Sequence, residues 1–202
     1  MNVQEYRGII LNDILIPSLK KLYDIDYNNI KLGVSERNIC ARLALHMENM
    51  MREYDNQNSS HMFSKYFADV EYNRMGNGDI KKYENSEKRP QSMVSDLLIQ
   101  SRDYKRNFLA IEMKRKGNHK KCKEDRERLR RIVSSQLYNS ANRCVHNTLI
   151  GAFVIYSIDD VLIELYEDRN GNGEKTEDIK LNFNHRSKHL EILLSGKTFM
   201  SK

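Results

Sequence analysis

The spacing of apolar positions changes along the chain, from a helical period in the first quarter to alternating or continuous runs further on. The helical part predicts one helix over residues 6–23, which Pro17 is expected to kink or split, and then a turn over residues 28–33. Ser35 is a candidate N-cap for a second helix that reaches about Tyr54, with its apolar residues on one stripe.

Short apolar runs between polar segments predict the strands of a sheet. The run that ends at residue 156 is almost continuously apolar, which is typical of a central strand. Strands are predicted over residues 66–72, 94–100, 108–114 and 149–156, a hairpin over 161–166 and 179–183, a helix over 123–137, a loop over 73–89, and a short strand or helix over 189–194.

This order of elements predicts an α/β domain with a mixed central sheet flanked by helices and a C-terminal β-hairpin. A chain of 202 residues is expected to form one domain. Residues 1–34 would be an N-terminal helical extension, residues 35–156 the core, and residues 157–202 the hairpin and C-terminal segment.

The charge balance indicates the kind of partner. A net charge of +6 and a pI of about 9.1 favour an anionic partner, of which nucleic acid is the commonest. Surface charge that serves only solubility is the alternative interpretation.

The cysteines and the first residues favour a reducing, cytoplasmic location. Three cysteines, Cys40, Cys122 and Cys144, form no evident disulfide framework. The first residues lack the basic segment of a secretory signal. Polar residues and Pro17 interrupt the apolar stretch over residues 9–19, so we expect no membrane span.

An acid and a lysine close one of the predicted strands. Four apolar residues precede Glu112-Met-Lys114, so this strand should be covered on both faces, with Glu112 and Lys114 on the same side of its end. Asp96 opens the preceding apolar run and would lie beside them if the two strands pair. The same spacing recurs at residues 79–81 and 178–180, in a loop and on a half-exposed strand, and a plain Glu–Lys pair is the alternative.

These residue types suit a hard divalent cation beside a phosphodiester. Asp96 and Glu112 would supply carboxylate oxygens to Mg²⁺, or to Mn²⁺ in its place, with the Met113 carbonyl as a third ligand. The metal would act as a Lewis acid and lower the pKa of bound water. Lys114 would hold the attacking water or offset developing charge, and a pKa lowered by desolvation would let it act as a base.

In this pattern the chain resembles the PD-(D/E)XK nuclease superfamily, whose members have the restriction-endonuclease-like fold. The order helix, three strands, helix, strand over residues 35–156 is similar to that core. Asp96, Glu112 and Lys114 take the motif positions. Ser95 stands where the family has a proline, which is a common departure.

The resemblance is closer to uncharacterised bacterial members of the superfamily and spans about residues 9–166. The superfamily often adds a glutamate from the first core helix, and Glu36 is the candidate; an acid that only stabilises the helix N-terminus is the alternative. Arg42, on the same helix, would pair with a carboxylate. Glu71 is a weaker candidate and more typical of an ordinary strand acid.

Positive charge is concentrated just after the motif. Ten lysine and arginine residues lie between positions 114 and 131, against three acids. A charge run is often only a solvated helix face, but beside a metal site it is where a phosphate backbone would lie. The predicted nucleic-acid-binding residues are Arg115, Lys116, Lys120, Lys121, Lys123, Arg126 and Arg130.

The sequence therefore predicts a Mg²⁺-dependent nuclease that hydrolyses DNA, with Lys114, Glu36, Asp96 and Glu112 as its catalytic residues. A homodimer is one way for such an enzyme to cut both strands. Two other classes stay open: a catalytically inactive nucleic-acid-binding module of the same fold, and an interaction subunit of a larger complex.

Overall fold

The computed structural model describes residues 2–72, 94–101, 107–135 and 148–193, together with the backbone of residues 82–84 and 90–92. In these residues the helices are α1 (Val3–Ile9), α2 (Ile16–Leu32), α3 (Glu36–Gln57) and α4 (Cys122–Val133). The strands are β1 (Tyr66–Val70), β2 (Lys82–Glu84), β3 (Pro90–Ser92), β4 (Leu97–Ser101), β5 (Asn107–Arg115), β6 (Thr148–Tyr156), β7 (Asp160–Arg169), β8 (Asn172–Asn184) and β9 (His189–Ile192).

The N-terminal helices are longer than the apolar pattern predicts. A π-helical stretch, Ile10–Leu15, joins α1 to α2, and Pro17 stands in the first turn of α2, where a missing N–H is tolerated. The predicted turn is wrong, because α2 stays helical up to Gly33, which takes the left-handed conformation at φ 69°. Ser35 then caps α3, as predicted, by accepting a hydrogen bond from the Asn38 N–H at 3.3 Å.

Among the described residues, seven strands form one mixed sheet in the order β1-β4-β5-β6-β7-β8-β9. The β5–β6 pair is parallel and α4 lies in its crossover, whereas the other neighbours are antiparallel. The prediction of an α/β domain with a mixed sheet flanked by helices is confirmed. The predicted hairpin is present as β7 and β8, and β9 continues the sheet as its edge strand.

The segment predicted as a loop over residues 73–89 contains a strand, since β2 pairs with β3 in a small separate sheet. Residues 73–81 and 85–89 lie outside the described residues, as do residues 136–147, where the predicted end of the helix over 123–137 falls.

Both faces of the central strands are covered, as their apolar runs predict. Helices α1 to α3 pack on one face, against residues such as Ile111 and Val154. Helix α4 packs on the other through Leu129, which meets Ala110 and Phe153. Alternation along β5 then directs the even-numbered side chains at its end towards α4. Within the described residues, none of the helices is both long and apolar enough to cross a lipid bilayer.

Candidate active site

The carboxyl end of β5 extends past its partner β4, and its free amides are bound by carboxylates. The β4–β5 ladder stops at Ile111. Beyond Ile111, the Met113 N–H donates to the carboxylate of Asp96 at 2.7 Å. The Met113 carbonyl points out of the same edge of the strand. Two residues on, the Arg115 N–H donates to Glu36 at 3.2 Å. The strand therefore ends in an edge lined by acids.

Asp96 and Glu112 lie on the same face of the sheet. The register that pairs Leu97 with Ile111 continues to place Asp96 opposite Glu112, and alternation directs both towards α4. The charge of Asp96 is among the causes that raise the pKa of Glu112. The structure thus brings together the two carboxylates that the sequence predicts as metal ligands.

Glu112 is completely buried, and Arg128 binds both oxygens of its carboxylate, at 2.9 and 3.0 Å. Burial raises the pKa of Glu112 to about 8, although the bonds from Arg128 lower it, and the negative charges of Asp96 and Asp125 raise it further. A buried carboxylate is costly unless a cation partners it. Arg128 is therefore the counter-ion that the fold provides for Glu112.

Helix α4 also contributes Asp125, an acid that the sequence reasoning missed. Asp125 is 2 % exposed and pairs with Arg128; its second oxygen makes no hydrogen bond but lies 3.4 Å from Nζ of Lys114. A signal was present, because Asp125 shares the apolar stripe of Leu129 and Ile132 at helical spacing. An acid on a buried stripe indicates a specific partner.

Lys114 is held between two acids. Its Nζ lies 3.2 Å from Glu36 and 3.4 Å from Asp125. Burial alone would lower the pKa of Lys114, but the charges of Asp125, Asp96 and Glu36 outweigh this and raise it. The lowered pKa expected from desolvation is not found. A protonated ammonium at this point is suited to orienting a water molecule or offsetting negative charge, and not to acting as a base.

Glu36 begins α3 and faces this cluster, at the place that the resemblance implies. It accepts hydrogen bonds from Lys114, from the Arg115 N–H and from the side-chain amide of Asn118, at 3.2, 3.2 and 2.8 Å. Burial would raise the pKa of Glu36, but these donors outweigh it and lower the pKa, so the carboxylate stays ionised. Asn118 lies in the loop after β5, where no sequence signal points to this contact.

Two weaker candidates are engaged elsewhere. Arg42 pairs with a carboxylate, as expected, but the partner is Asp26 on α2, at 2.8 Å. Glu71 forms an exposed ion pair with Arg37 at 2.6 Å. Its backbone N–H does approach the site by donating to the Asp96 carbonyl at 3.1 Å. Neither side chain bonds to the acid cluster.

The cluster has more negative than positive side chains. Within the described residues, four carboxylates share two cations, which in charge and in oxygen donors fits one divalent ion. The members are Glu36, Asp96, Glu112 and Asp125 against Lys114 and Arg128. No three His, Cys, Asp or Glu side chains of the described part are arranged to hold a metal ion. Arg128 lies on both oxygens of Glu112. A divalent ion could therefore bind Glu112 only if Arg128 moved away from its carboxylate.

The predicted nucleic-acid-binding residues fall into two groups. Lys116 pairs with Asp160 at 2.7 Å, and Arg126 binds both oxygens of Glu164 at 2.7 and 2.8 Å. Arg130 is half exposed, 3.8 Å from the nearest acid. Those without an ion pair in the described part of the chain are Arg115, Lys120, Lys121 and Lys123, the three lysines being exposed.

Comparison with known proteins identifies no relative. No family model matches the chain, and neither a curated protein nor a solved structure matches it. A functional conclusion therefore depends on the residues of the site itself.

Proposed function

We propose that the protein is a Mg²⁺-dependent nuclease of the PD-(D/E)XK type, with a restriction-endonuclease-like core, that hydrolyses DNA phosphodiester bonds. The observation that carries this proposal is the surplus of carboxylates around Lys114 at the free end of β5, of which Glu112 and Asp125 are buried. A Glu–Lys pair that only stabilised the strand end would need one acid. Clustered acids repel each other unless a cation offsets them, and a metalloenzyme uses that cation.

Each residue has a role in this proposal. Asp96 and Glu112 would hold the ion, with the Met113 carbonyl beside them. Mg²⁺ bound there supplies a Lewis acid to the phosphoryl oxygen and lowers the pKa of the attacking water. Lys114 donates hydrogen bonds to the water or to the developing charge, and Glu36 fixes the direction of the ammonium.

The runner-up function is a nucleic-acid-binding module that has lost catalysis. The bidentate Arg128–Glu112 pair favours it, since Arg128 supplies the positive charge that a metal would otherwise supply. The two proposals differ in one property: the nuclease must exchange Arg128 for a divalent ion, and the binding module must not.

The test is an incubation of purified protein with supercoiled plasmid, linear duplex and single-stranded DNA, in Mg²⁺, in Mn²⁺ and in chelator. We expect cleavage only with metal, and none by Asp96→Asn, whose amide oxygen still accepts the bond from Met113. Lys21→Gln, an exposed change on α2, is the matched control and should cleave normally. If Asp96→Asn cleaves as fast as the wild type, or if no substrate is cut, the nuclease proposal fails.

A further inference from the structure

A pocket of about 410 Å³ lies beside the acid cluster, on the face of the sheet that α4 covers. Lys114 belongs both to the acid cluster and to the pocket wall, and the loop after β5 forms another part of that wall. Its inner wall is apolar and includes Ile155 of β6 and Leu162 of β7. Sites for small molecules typically occupy about 300–1,000 Å³, mostly apolar with a few convergent polar groups, and this pocket has that character.

Positive side chains dominate the polar part of the pocket. Lys114, Arg115, Lys116, Arg126 and Lys180 line it, against the single acid Asp160 in the described lining. Lys114, Lys116 and Arg126 are in ion pairs, whereas Arg115 and Lys180 have none in the part of the chain that the structure describes. The exposed ammonium of Lys180 is therefore available to an anion.

Asp160 does not cancel this charge. Burial alone would raise the pKa of Asp160, but hydrogen bonds from Lys116 and Ser157 and the charges of Lys116 and Lys180 outweigh it and lower the pKa. Its carboxylate accepts bonds from Nζ of Lys116 at 2.7 and 3.0 Å and from the Ser157 hydroxyl. Because both of its oxygens are already bonded, Asp160 balances Lys116 and leaves the charges of Arg115 and Lys180 unbalanced in the described lining.

We propose that this pocket binds one phosphorylated nucleotide, either free or at the phosphate-bearing end of a nucleic-acid strand. The apolar wall formed by Ile155 and Leu162 suits a flat base, and Lys180 and Lys116 suit the phosphate. The volume accommodates a single nucleotide but not a length of duplex. For the strand end, the inference rests on the proposed nuclease function, because Lys114 would place the bound end next to the site of cleavage.

Calorimetric titration in chelator tests the pocket without any contribution from the metal site or from cleavage. The probes are dAMP, deoxyadenosine, inorganic phosphate, and one oligonucleotide with a 5′-phosphate, a 3′-phosphate or neither. We expect saturable binding of dAMP that is tighter than that of deoxyadenosine or of phosphate. Lys180→Glu should weaken it by at least about tenfold, as loss of a charge-assisted contact does, and Lys21→Glu, with the same charge change elsewhere, should not.

The oligonucleotides identify the source of the nucleotide. Tighter binding of a phosphorylated end than of the unphosphorylated strand, lost in Lys180→Glu, assigns the pocket to strand ends, and equal binding assigns it to free nucleotides. Absent dAMP binding, dAMP binding no tighter than that of phosphate, or equal effects of Lys180→Glu and Lys21→Glu would overturn the inference. If dAMP binds as expected and the protein cleaves nothing, the nuclease proposal alone has failed.

Discussion

Among single residues, Arg128 is the one that binds both oxygens of Glu112, the proposed metal ligand. Arg128→Gln would remove the counter-ion from a carboxylate that is completely buried. We expect the metal-free variant to lose about 3 kcal/mol of unfolding free energy, the typical effect of removing one partner of a buried ion pair. The same change should increase the affinity for Mn²⁺, since no side chain then competes for the carboxylate.

The measurements are chemical denaturation without metal and calorimetric titration of Mn²⁺. Arg131→Gln is the control, because its partner Glu127 is 43 % exposed and the pair contributes little. Unchanged Mn²⁺ affinity in Arg128→Gln would show that Arg128 does not occupy the place of a cation.

Lys114 is the residue whose loss should separate catalysis from binding. Lys114→Ala removes a charge next to the proposed position of the reacting phosphate but none of the carboxylates, so Mn²⁺ binding should persist while cleavage falls by about 10²–10³. Single-turnover cleavage measures the rate, and Lys21→Ala is the matched control. Cleavage by Lys114→Ala at the wild-type rate would remove the lysine from the mechanism.

The residues on β4 and β5 could be predicted from the sequence, and their partners on α4 could not. Alternation along a strand places Glu112 and Lys114 on one side without knowledge of the tertiary structure. The pairing of Arg128 with Glu112 depends on how α4 docks against β5, which no local pattern specifies. In a stretch with ten cations, Arg128 looked like one more solvated charge.

At the scale of elements, α4 docks on the sheet partly through its arginines. Arg126, predicted to contact nucleic acid, instead binds Glu164 of β7 with two hydrogen bonds and lies 4.5 Å from the centre of the Phe153 ring. Burial would raise the pKa of Glu164, but the bonds from Arg126 outweigh it and lower the pKa, so the pair is charged at neutral pH. Its nucleic-acid role stays a prediction that this geometry weakens.

We therefore expect Arg126→Ala to affect stability first. It would leave the nearly buried Glu164 without its cation and lower the unfolding free energy by about 2 kcal/mol. Urea denaturation measures the loss, and Arg130→Ala, on an exposed position of the same helix, should change it little. A stable Arg126→Ala with much weaker DNA binding would restore the phosphate-contact interpretation.

The loop that leads into α4 and the first turn of α4 are the better candidates for phosphate contacts. Replacing Lys120 and Lys123 by Ala should weaken DNA binding regardless of the DNA sequence. The slope of log K against the logarithm of the salt concentration should become shallower by about 0.9 for each lost contact to a duplex phosphate. Lys121 is left unchanged, because its left-handed backbone (φ 59°) is sensitive to substitution. The control is the double change of Lys21 and Lys31 to Ala on α2; if both double variants give the same slope, the loop does not contact phosphates.

Element boundaries show where a pattern of apolar positions stops being informative. The pattern specifies which face of α2 is buried but not where the helix ends, and a proline in its first turn looks in sequence like an interruption. The π-helical stretch has no signature in apolar spacing. Strand β5 was predicted to within a residue at each end, since its apolar run is bounded by polar residues.

At the scale of the whole molecule, the alternation of helices and strands predicted the class of fold but not the full role of each segment. Residues predicted as an N-terminal extension form α1 and α2, whose Ile10, Leu19 and Leu22 belong to the main hydrophobic core. The extension is thus part of the domain that positions the site. A homodimer stays a prediction, which analytical ultracentrifugation with and without DNA would test.

We expect the acid cluster to hold a divalent cation once Arg128 has moved away. An anomalous difference map from crystals grown in Mn²⁺ tests it most directly, because the ion and the arginine are seen together. We predict a manganese peak within coordination distance of the Asp96 and Glu112 carboxylates, with Arg128 turned away from Glu112. An intact Arg128–Glu112 pair with no peak beside it, at saturating Mn²⁺, would show that the acid cluster does not bind a divalent ion.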